Sequence, residues 1–358
     1  MSGVLVTGFP GFLGSALVER LLARGDGPVA CLIQPSYRSL AERRAREVTA
    51  AAGRGSDAVS LHEGDVTEPD LGLGDRAALL DVGSVYHLAA VYDLGVDRAL
   101  AEAVNVRGTE HVLEFAADVG VDRFHYVSTC YVSGRYDGVF TGEHLEEGQS
   151  FNNHYEATKY RAEVAVRDAM AEGLPATIYR PAIAVGDSET GETEKYDGVY
   201  YLIRLLLAQR PSLSLSVRLP GSVGAELNVV PRDVVVDAID ALSARQDTAG
   251  EVYQLCDPAP LTVPAFARAV GRAAGHRVVS VPTVKPVARR LFAALHDRGW
   301  AVEPATVDYL DHPTRYACPN TRRALAGTDV GCPPFESYAD RLVEYVREHP
   351  DVSDEPMV

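Results

Sequence analysis

Val4-Leu5-Val6-Thr7-Gly8-Phe9-Pro10-Gly11-Phe12-Leu13-Gly14 is the stretch whose reading decides the fold. An apolar run enters a glycine-rich corner, and beyond it Leu13, Ala16, Leu17 and Leu21 recur at helical spacing. The pattern predicts a strand, a tight turn and a helix over 12–24. The three glycines suit three jobs: turning the chain, letting a pyrophosphate approach the backbone, and letting the helix pack on the strand. The helix N-terminus then faces the phosphates. Gly8, Phe9, Gly11, Phe12, Leu13 and Gly14 are accordingly expected to hold a dinucleotide.

Outward from this corner, short apolar runs at 29–33, 59–61, 85–88, 124–127 and 176–179 alternate with segments long enough for crossover helices, among them 102–119 and 155–171. Such alternation predicts an α/β fold with a doubly wound parallel sheet, of Rossmann type. From about residue 186 the rhythm changes. Residues 187–196 are polar and acidic, and an aromatic and leucine-rich helix is expected over 200–208, so this part reads as a loop and helix over the cofactor site. Helical patterns at 263–274, 287–295 and 335–347 alternate with proline-rich breaks. The expected organisation is a Rossmann domain over 1–185 with a further core segment near 225–258, and a smaller C-terminal substrate-binding lobe from 186–224 and 259–358. The acidic last residues are expected to fray.

At 358 residues and 46% hydrophobic, the chain can bury a large core. A formal charge of −16 opposes the counterion-release attraction that nucleic-acid binders depend on, which argues against such a partner. The five cysteines are odd in number and show no metal-ligand spacing, as expected of a reducing cytoplasm and of no structural zinc or other metal site. No basic leader precedes Val4 and no long apolar run follows, so neither a signal peptide nor a membrane span is expected.

The chemistry centres on Tyr155-Glu156-Ala157-Thr158-Lys159. On a helix, Tyr155 and Lys159 share one face, where the ammonium is expected to lower the phenol's pKa and strengthen it as an acid for a carbonyl that receives hydride. With three lysines in the whole chain, a chance Tyr-x-x-x-Lys is rare. Ser128-Thr129 ends a predicted strand at the carboxyl edge of the sheet, where a hydroxyl can steady a developing alkoxide. Asn105, on a crossover helix, is read as holding a water that relays protons to Lys159. Asp65-Val66 suits the adenine amino group, and Leu88-Ala89-Ala90 lets the cofactor pass close to the backbone. A hydrolase would want His87, His125 or His154 as base to Ser128 or Ser133, but no Gly-x-Ser-x-Gly elbow is present.

Taken together these motifs resemble the extended (atypical) short-chain dehydrogenase/reductases, and they run in family order over roughly residues 3–260. A finer likeness is to the branch of fatty-acyl-CoA reductases, male-sterility proteins and thioester-reductase domains. It rests on Asn105-Val106-Arg107-Gly108-Thr109, Tyr131-Val132-Ser133-Gly134, Tyr179-Arg180-Pro181-Ala182, Tyr196-Asp197-Gly198-Val199-Tyr200-Tyr201, Val230-Pro231-Arg232-Asp233 and Gly331-Cys332-Pro333-Pro334-Phe335. The resemblance implies that Thr129 is the catalytic hydroxyl, with Ser128 beside the cofactor, and that Pro181 and Ala182 meet the nicotinamide. It also implies Lys159 gripping the ribose, and it allows a homodimer.

Two departures bear on the cofactor and the substrate. Where NADP-preferring members place an arginine after the second strand, this chain has Gln34, so Arg38, Arg43 or Arg44 is expected to reach the 2′-phosphate from a loop. No acidic residue stands there for a ribose diol, which favours NADP and leaves NAD as the alternative. Nor does the sequence show a carrier or adenylation pattern, so a thioester is expected to arrive on CoA or on a separate carrier. The leading expectation is hydride transfer from NADPH to an acyl thioester or aldehyde. The alternatives are a carbonyl/alcohol dehydrogenase or nucleotide-sugar epimerase on the same scaffold, and a non-catalytic NADP-sensing regulator.

Overall fold

The computed structural model of the protein describes residues 3–25, 27–74, 76–300 and 302–352; the tail expected to fray, from 353 on, lies outside the described residues. Among the described residues, strands beginning at Val252, Ala176, Arg123, Val82, Gly3, Val29 and Val59 lie side by side in that order, all parallel. This is the doubly wound sheet that the alternating pattern predicts. Parallel strands covered on both faces need apolar residues throughout, and Val4 to Thr7 and Ala176 to Pro181 are buried at every position.

Chain order reverses once in this sheet. From Gly3–Thr7 the chain builds outward to Val59–Glu63 on one side; from Val82–His87 it builds outward to Val252–Leu255 on the other. Ligands bind at such a switch point, in the crevice beyond the strands' carboxyl ends. The helix Phe12–Arg24 leaves from that crevice and ends at Gly25, whose φ of 91° closes it in the left-handed conformation. Leu17, Val18, Leu21 and Leu22 on its inner face join one apolar cluster with Val235, Ile239 and Leu242 of the helix Arg232–Ser243. The other face of the sheet is covered by Gly108–Val119 and His154–Ala171 through Val112, Phe115, Ala162 and Val166.

Two elements differ from the sequence reading. Residues 38–51, expected as a loop, form the helix Arg38–Ala51, in which only Ala41, Val48 and Thr49 are buried. So thin an apolar stripe gives almost no periodic signal. The crossover helix before Gly108–Val119 begins earlier than expected, at Arg98 after the capping carboxylate of Asp97, and widens into a π-helical turn over Glu102–Arg107.

A second apolar cluster draws on Tyr196, Tyr200, Ile203, Phe266, Val270, Phe335 and Leu342. Beside it, Ser214–Arg218 and Val278–Pro282 pair as a small parallel sheet. The chain then returns to the main sheet's flank, where Arg315–Tyr316 pairs with Val139–Phe140.

The corner at Gly8 joins the two halves of the sheet. Its φ is +88°, and a Cβ there would stand 2.8 Å from Ala89 N and from Leu88 C. Gly8→Ala is expected to destabilise the protein by about 1–3 kcal/mol in denaturant unfolding, from left-handed strain plus the clash. An unchanged midpoint would show that this close approach is not needed.

Candidate active site

The corner opens into a cleft of about 390 Å³ at the switch point, lined by 7–14, Gln34, Asp65, Val66, 88–92, 127–129, Tyr131, Tyr155, Lys159, 181–184, 193–195 and Asp197. Of the residues expected to touch a cofactor or substrate, Gly8, Phe9, Gly11, Phe12, Leu13, Gly14, Gln34, Asp65, Val66, Leu88, Ala89, Ala90, Ser128, Thr129, Tyr155, Lys159, Pro181 and Ala182 all line it. Arg38 and Asn105 do not.

The glycine corner fits a dinucleotide pyrophosphate. A Cβ on Gly14 would come within 2.4 Å of Gly8 O, and one on Gly11 within 2.9 Å of the same oxygen, so both positions demand bare backbone. The helix starting at Phe12 has no acidic residue in its first turn and no side-chain cap from Gly11, leaving its amide end available to anions. Thr7 braces the corner: its Oγ1 lies 2.7 Å from His87 Nδ1 and accepts from Ala89 N at 3.2 Å. At the far end, Gln34 Nε2 donates to Asp65 Oδ2 at 3.1 Å, while Asp65 Oδ1 accepts from Thr67 N and Oγ1. The arginines expected nearby all have acidic partners: Arg38 pairs with Glu42 at 2.8 Å and Glu63 at 3.2 Å, Arg43 with Glu47, and Arg44 with Glu47 and Glu194. They project from a helix and not from a loop.

At the other end, Tyr155 and Lys159 stand one turn apart on the helix His154–Ala171, which Asn153 caps by accepting from Glu156 N. Both are buried. Lys159 Nζ donates to Val127 O at 2.9 Å and lies 4.5 Å from the centre of the Tyr126 ring. Burial pulls its amine down to about 7, against a smaller upward pull from Glu163. The Tyr155 phenol corrects an expectation. Burial pushes it above the usual tyrosine value, a hydrogen bond with Thr129 pulls the other way, and Asp197 and Glu156 add to the upward push. The sequence reading had Lys159 lowering it, but that amine is turned to the strand end and is itself easily deprotonated.

Asn105 is buried in the π-helical turn, with Oδ1 accepting from Val91 N at 2.9 Å and Nδ2 donating to Val91 O and Thr158 Oγ1. Its amide secures the wall of the cleft at Val91. Burial and the neighbouring Lys159 push His87 down to about 3, and it bridges Thr7 and Thr109 as a neutral ring. Ser128 donates to Glu163 and Ser133 lies beside Tyr316, so neither meets a histidine as a hydrolase would require.

Several residues without a sequence expectation also shape the site. Glu163, one turn beyond Lys159, is fully buried; Arg180 donates to it from Nε at 3.0 Å and from its terminal nitrogen at 2.6 Å, and Ser128 Oγ does so at 2.6 Å. Burial would raise this carboxyl, but Arg180, with Arg167 and the Ser128 hydrogen bond, more than offsets that and holds it below the ordinary value. The i,i+4 spacing from Tyr155 to Lys159 to Glu163 was the available signal. Tyr92 packs edge-on against Tyr155 with ring centres 4.9 Å apart, and Lys195 donates to Tyr92 O at 2.9 Å while pairing with Asp197 at 3.1 Å.

The family model described as male sterility protein, an NAD-binding family, matches residues 6–239. The chain is 29% identical to a linear gramicidin synthase of Brevibacillus parabrevis over 271 residues, 71% of this chain and 5% of that protein. It is 27% identical to the non-canonical nonribosomal peptide synthetase cpsA of Aspergillus campestris, covering 70% of this chain and 25% of that protein. The chain thus spans a quarter or less of these relatives. Among solved structures, the terminal R domain from the myxalamid PKS-NRPS biosynthetic pathway superposes with a TM-score of 0.81 at 25% identity, covering 99% of this chain and 93% of that one.

Because the chain has only three lysines, the amine of Lys159 can be read directly. In lysine-labelled protein free of dinucleotide, one side-chain NMR signal is expected to titrate near pH 7 and to vanish in Lys159→Met. Three signals titrating near the ordinary value, about 10.4, would show that the amine is not desolvated.

Proposed function

The chain belongs to the male sterility protein family and is a nicotinamide-dependent oxidoreductase of the extended short-chain dehydrogenase/reductase type; from that premise we propose that it reduces an acyl thioester to an aldehyde with NADPH. The observation that carries the reading is one cleft whose walls bear both the bare-backbone corner at the switch point and Thr129, Tyr155 and Lys159. Likeness to stretches of peptide synthetases and to the terminal R domain of the myxalamid pathway supports a thioester held on CoA or on a carrier.

The reduced nicotinamide dinucleotide, when bound, supplies the hydride. Tyr155 donates its phenolic proton to the carbonyl oxygen as the carbon gains that hydride, and Thr129 Oγ1 holds the same oxygen. Burial keeps Tyr155 protonated well past neutral pH, so the acid form is the resting form. Lys159, held at the strand end by its hydrogen bond to Val127 O, steadies the ribose. The hemithioacetal then collapses: its hydroxyl proton returns to the Tyr155 oxygen, the carbon–sulfur bond breaks, and the thiolate leaves to take a proton from water. The acyl group is selected where the cleft wall passes through Ile183, Thr193, Lys195 and Asp197, at the entry to the C-terminal lobe.

The choice of NADPH rests on the uncharged Gln34 at the end of Val29–Ile33 and on Arg38, whose ion pairs with Glu42 and Glu63 are exposed and give way at little cost to a 2′-phosphate. Arg38→Ala is expected to raise KM for NADPH several-fold and leave that for NADH unchanged.

The test is anaerobic NADPH oxidation with octanoyl-CoA, octanal and UDP-sugars in parallel. Octanoyl-CoA is expected to be reduced with release of thiol. Tyr155→Phe should lower kcat by about 10²–10⁴-fold while leaving the NADPH dissociation constant within about twofold. Full turnover by that variant would remove Tyr155 from the chemistry. Binding that raises the Lys159 pKa takes up a proton, so NADPH affinity should be greatest below about pH 7 and decline above it, with the slope absent in Lys159→Met.

A further inference from the structure

The small parallel sheet of Ser214–Arg218 and Val278–Pro282 is inverted relative to an ordinary surface sheet. Serines point inward: Ser214 and Ser216 are buried, Ser216 Oγ lies 3.0 Å from Ser280 Oγ, and Ser214 Oγ lies 2.9 Å from His276 Nδ1. The outward positions are Leu215, Val279 and Val281, exposed by 47%, 40% and 41%. The helix Lys285–His296 follows directly and buries Ala288 and Phe292, while Val287 and Leu291, one turn apart, stay in solvent with Val284 just before it. Nine of the eleven exposed large apolar residues among the described residues fall between 213 and 300. Scattered exposed apolar residues are ordinary, but a concentration of this kind marks a covered surface.

Its charge indicates what covers it. Residues 198–225 and 261–300 together hold ten Lys and Arg and one acidic residue, in a chain whose formal charge is −16. Arg272, Lys285 and Arg289 pair with Glu336, Asp308 and Asp311. Arg210, Arg218, Arg277 and Arg290 are exposed and, among the described residues, form no ion pair. Arg218 closes one end of the inverted sheet, and Arg277 stands at the other, accepting from Ser214 N through its carbonyl. A two-fold contact with a second copy would set these arginines against one another. The same lobe continues into the cleft wall, since Lys195 and Asp197 immediately precede the helix Val199–Leu207 that packs beneath the sheet.

We propose that this basic-rimmed apolar face is the docking site for an acidic protein partner with an apolar centre, namely the carrier that delivers the acyl thioester. This rests on the thioester reading given above. An apolar centre with a charged rim is the arrangement that supplies affinity from burial and orientation from charge.

The test uses the full chain and an acidic acyl carrier protein with an octanoyl thioester on its phosphopantetheine, compared with octanoyl-N-acetylcysteamine. Binding is read by fluorescence anisotropy of the labelled carrier, and turnover by NADPH oxidation. Arg218→Glu/Arg290→Glu is expected to weaken carrier binding and raise its KM at least about tenfold, leaving the small thioester unaffected; Val279→Ser/Val287→Ser should do the same at a rim left intact. Carrier binding lost in both variants while neither thioester is reduced would uphold the docking face and overturn the thioester chemistry. No carrier binding by the unaltered protein, or a dimer in sedimentation that the charge reversals abolish, would overturn the docking proposal whatever the small thioester shows.

Discussion

Everything at the Tyr155 end of the cleft hangs from the ion pair between Glu163 and Arg180, neither of which has any exposed side chain. Two charges taken out of water recover their lost hydration only when geometry is good, so such a pair adds little net stability but makes any arrangement that separates it costly. Here it ties the helix His154–Ala171 to the strand Ala176–Pro181 in one register. Lys159 and Tyr155 lie one and two turns before Glu163 on the same face, and Ser128, next to Thr129, gives its hydrogen to the same carboxylate. One buried carboxylate therefore sets the position of phenol, amine and hydroxyl.

The opposite end of the cleft is set by backbone contact. Gly8 approaches Leu88 and Ala89 where the strand order reverses, and Gly14 packs on the Gly8 carbonyl. Demands of this kind are legible in sequence because only one residue type meets them, and the parallel sheet is legible because its strands are apolar on both faces. Among the lining residues, Asp65, Leu88, Ser128, Tyr155 and Lys159 were legible for a related reason, each sitting at a strand end or on a helix face whose spacing is fixed by regular geometry, whereas Pro181 and Ala182 came from the family resemblance and Tyr92, Lys195 and Asp197 left no signal of a role of their own.

What escaped the sequence involves choices that local pattern does not record. Glu163 looks like any charged residue on a helix until the fold places Arg180 beneath it. The helix Arg38–Ala51 buries too few residues to show its period. The phenol of Tyr155 titrates above and not below its usual value because burial, invisible in spacing, outweighs its hydrogen bond with Thr129. In the small sheet, alternation between serine and aliphatic residues is plain, yet a period of two does not say which face is inward, and here it is the serines.

The central claim is reduction of a thioester carbonyl, and transfer of deuterium from NADPH labelled stereospecifically at the nicotinamide C4 tests it most directly, with the products of an acyl thioester followed by mass spectrometry. The account predicts an aldehyde carrying a single deuterium at the former thioester carbon, released together with free thiol. Deuterium appearing only in products made from aldehydes or ketones, or turnover of a UDP-sugar without net consumption of NADPH, would contradict it.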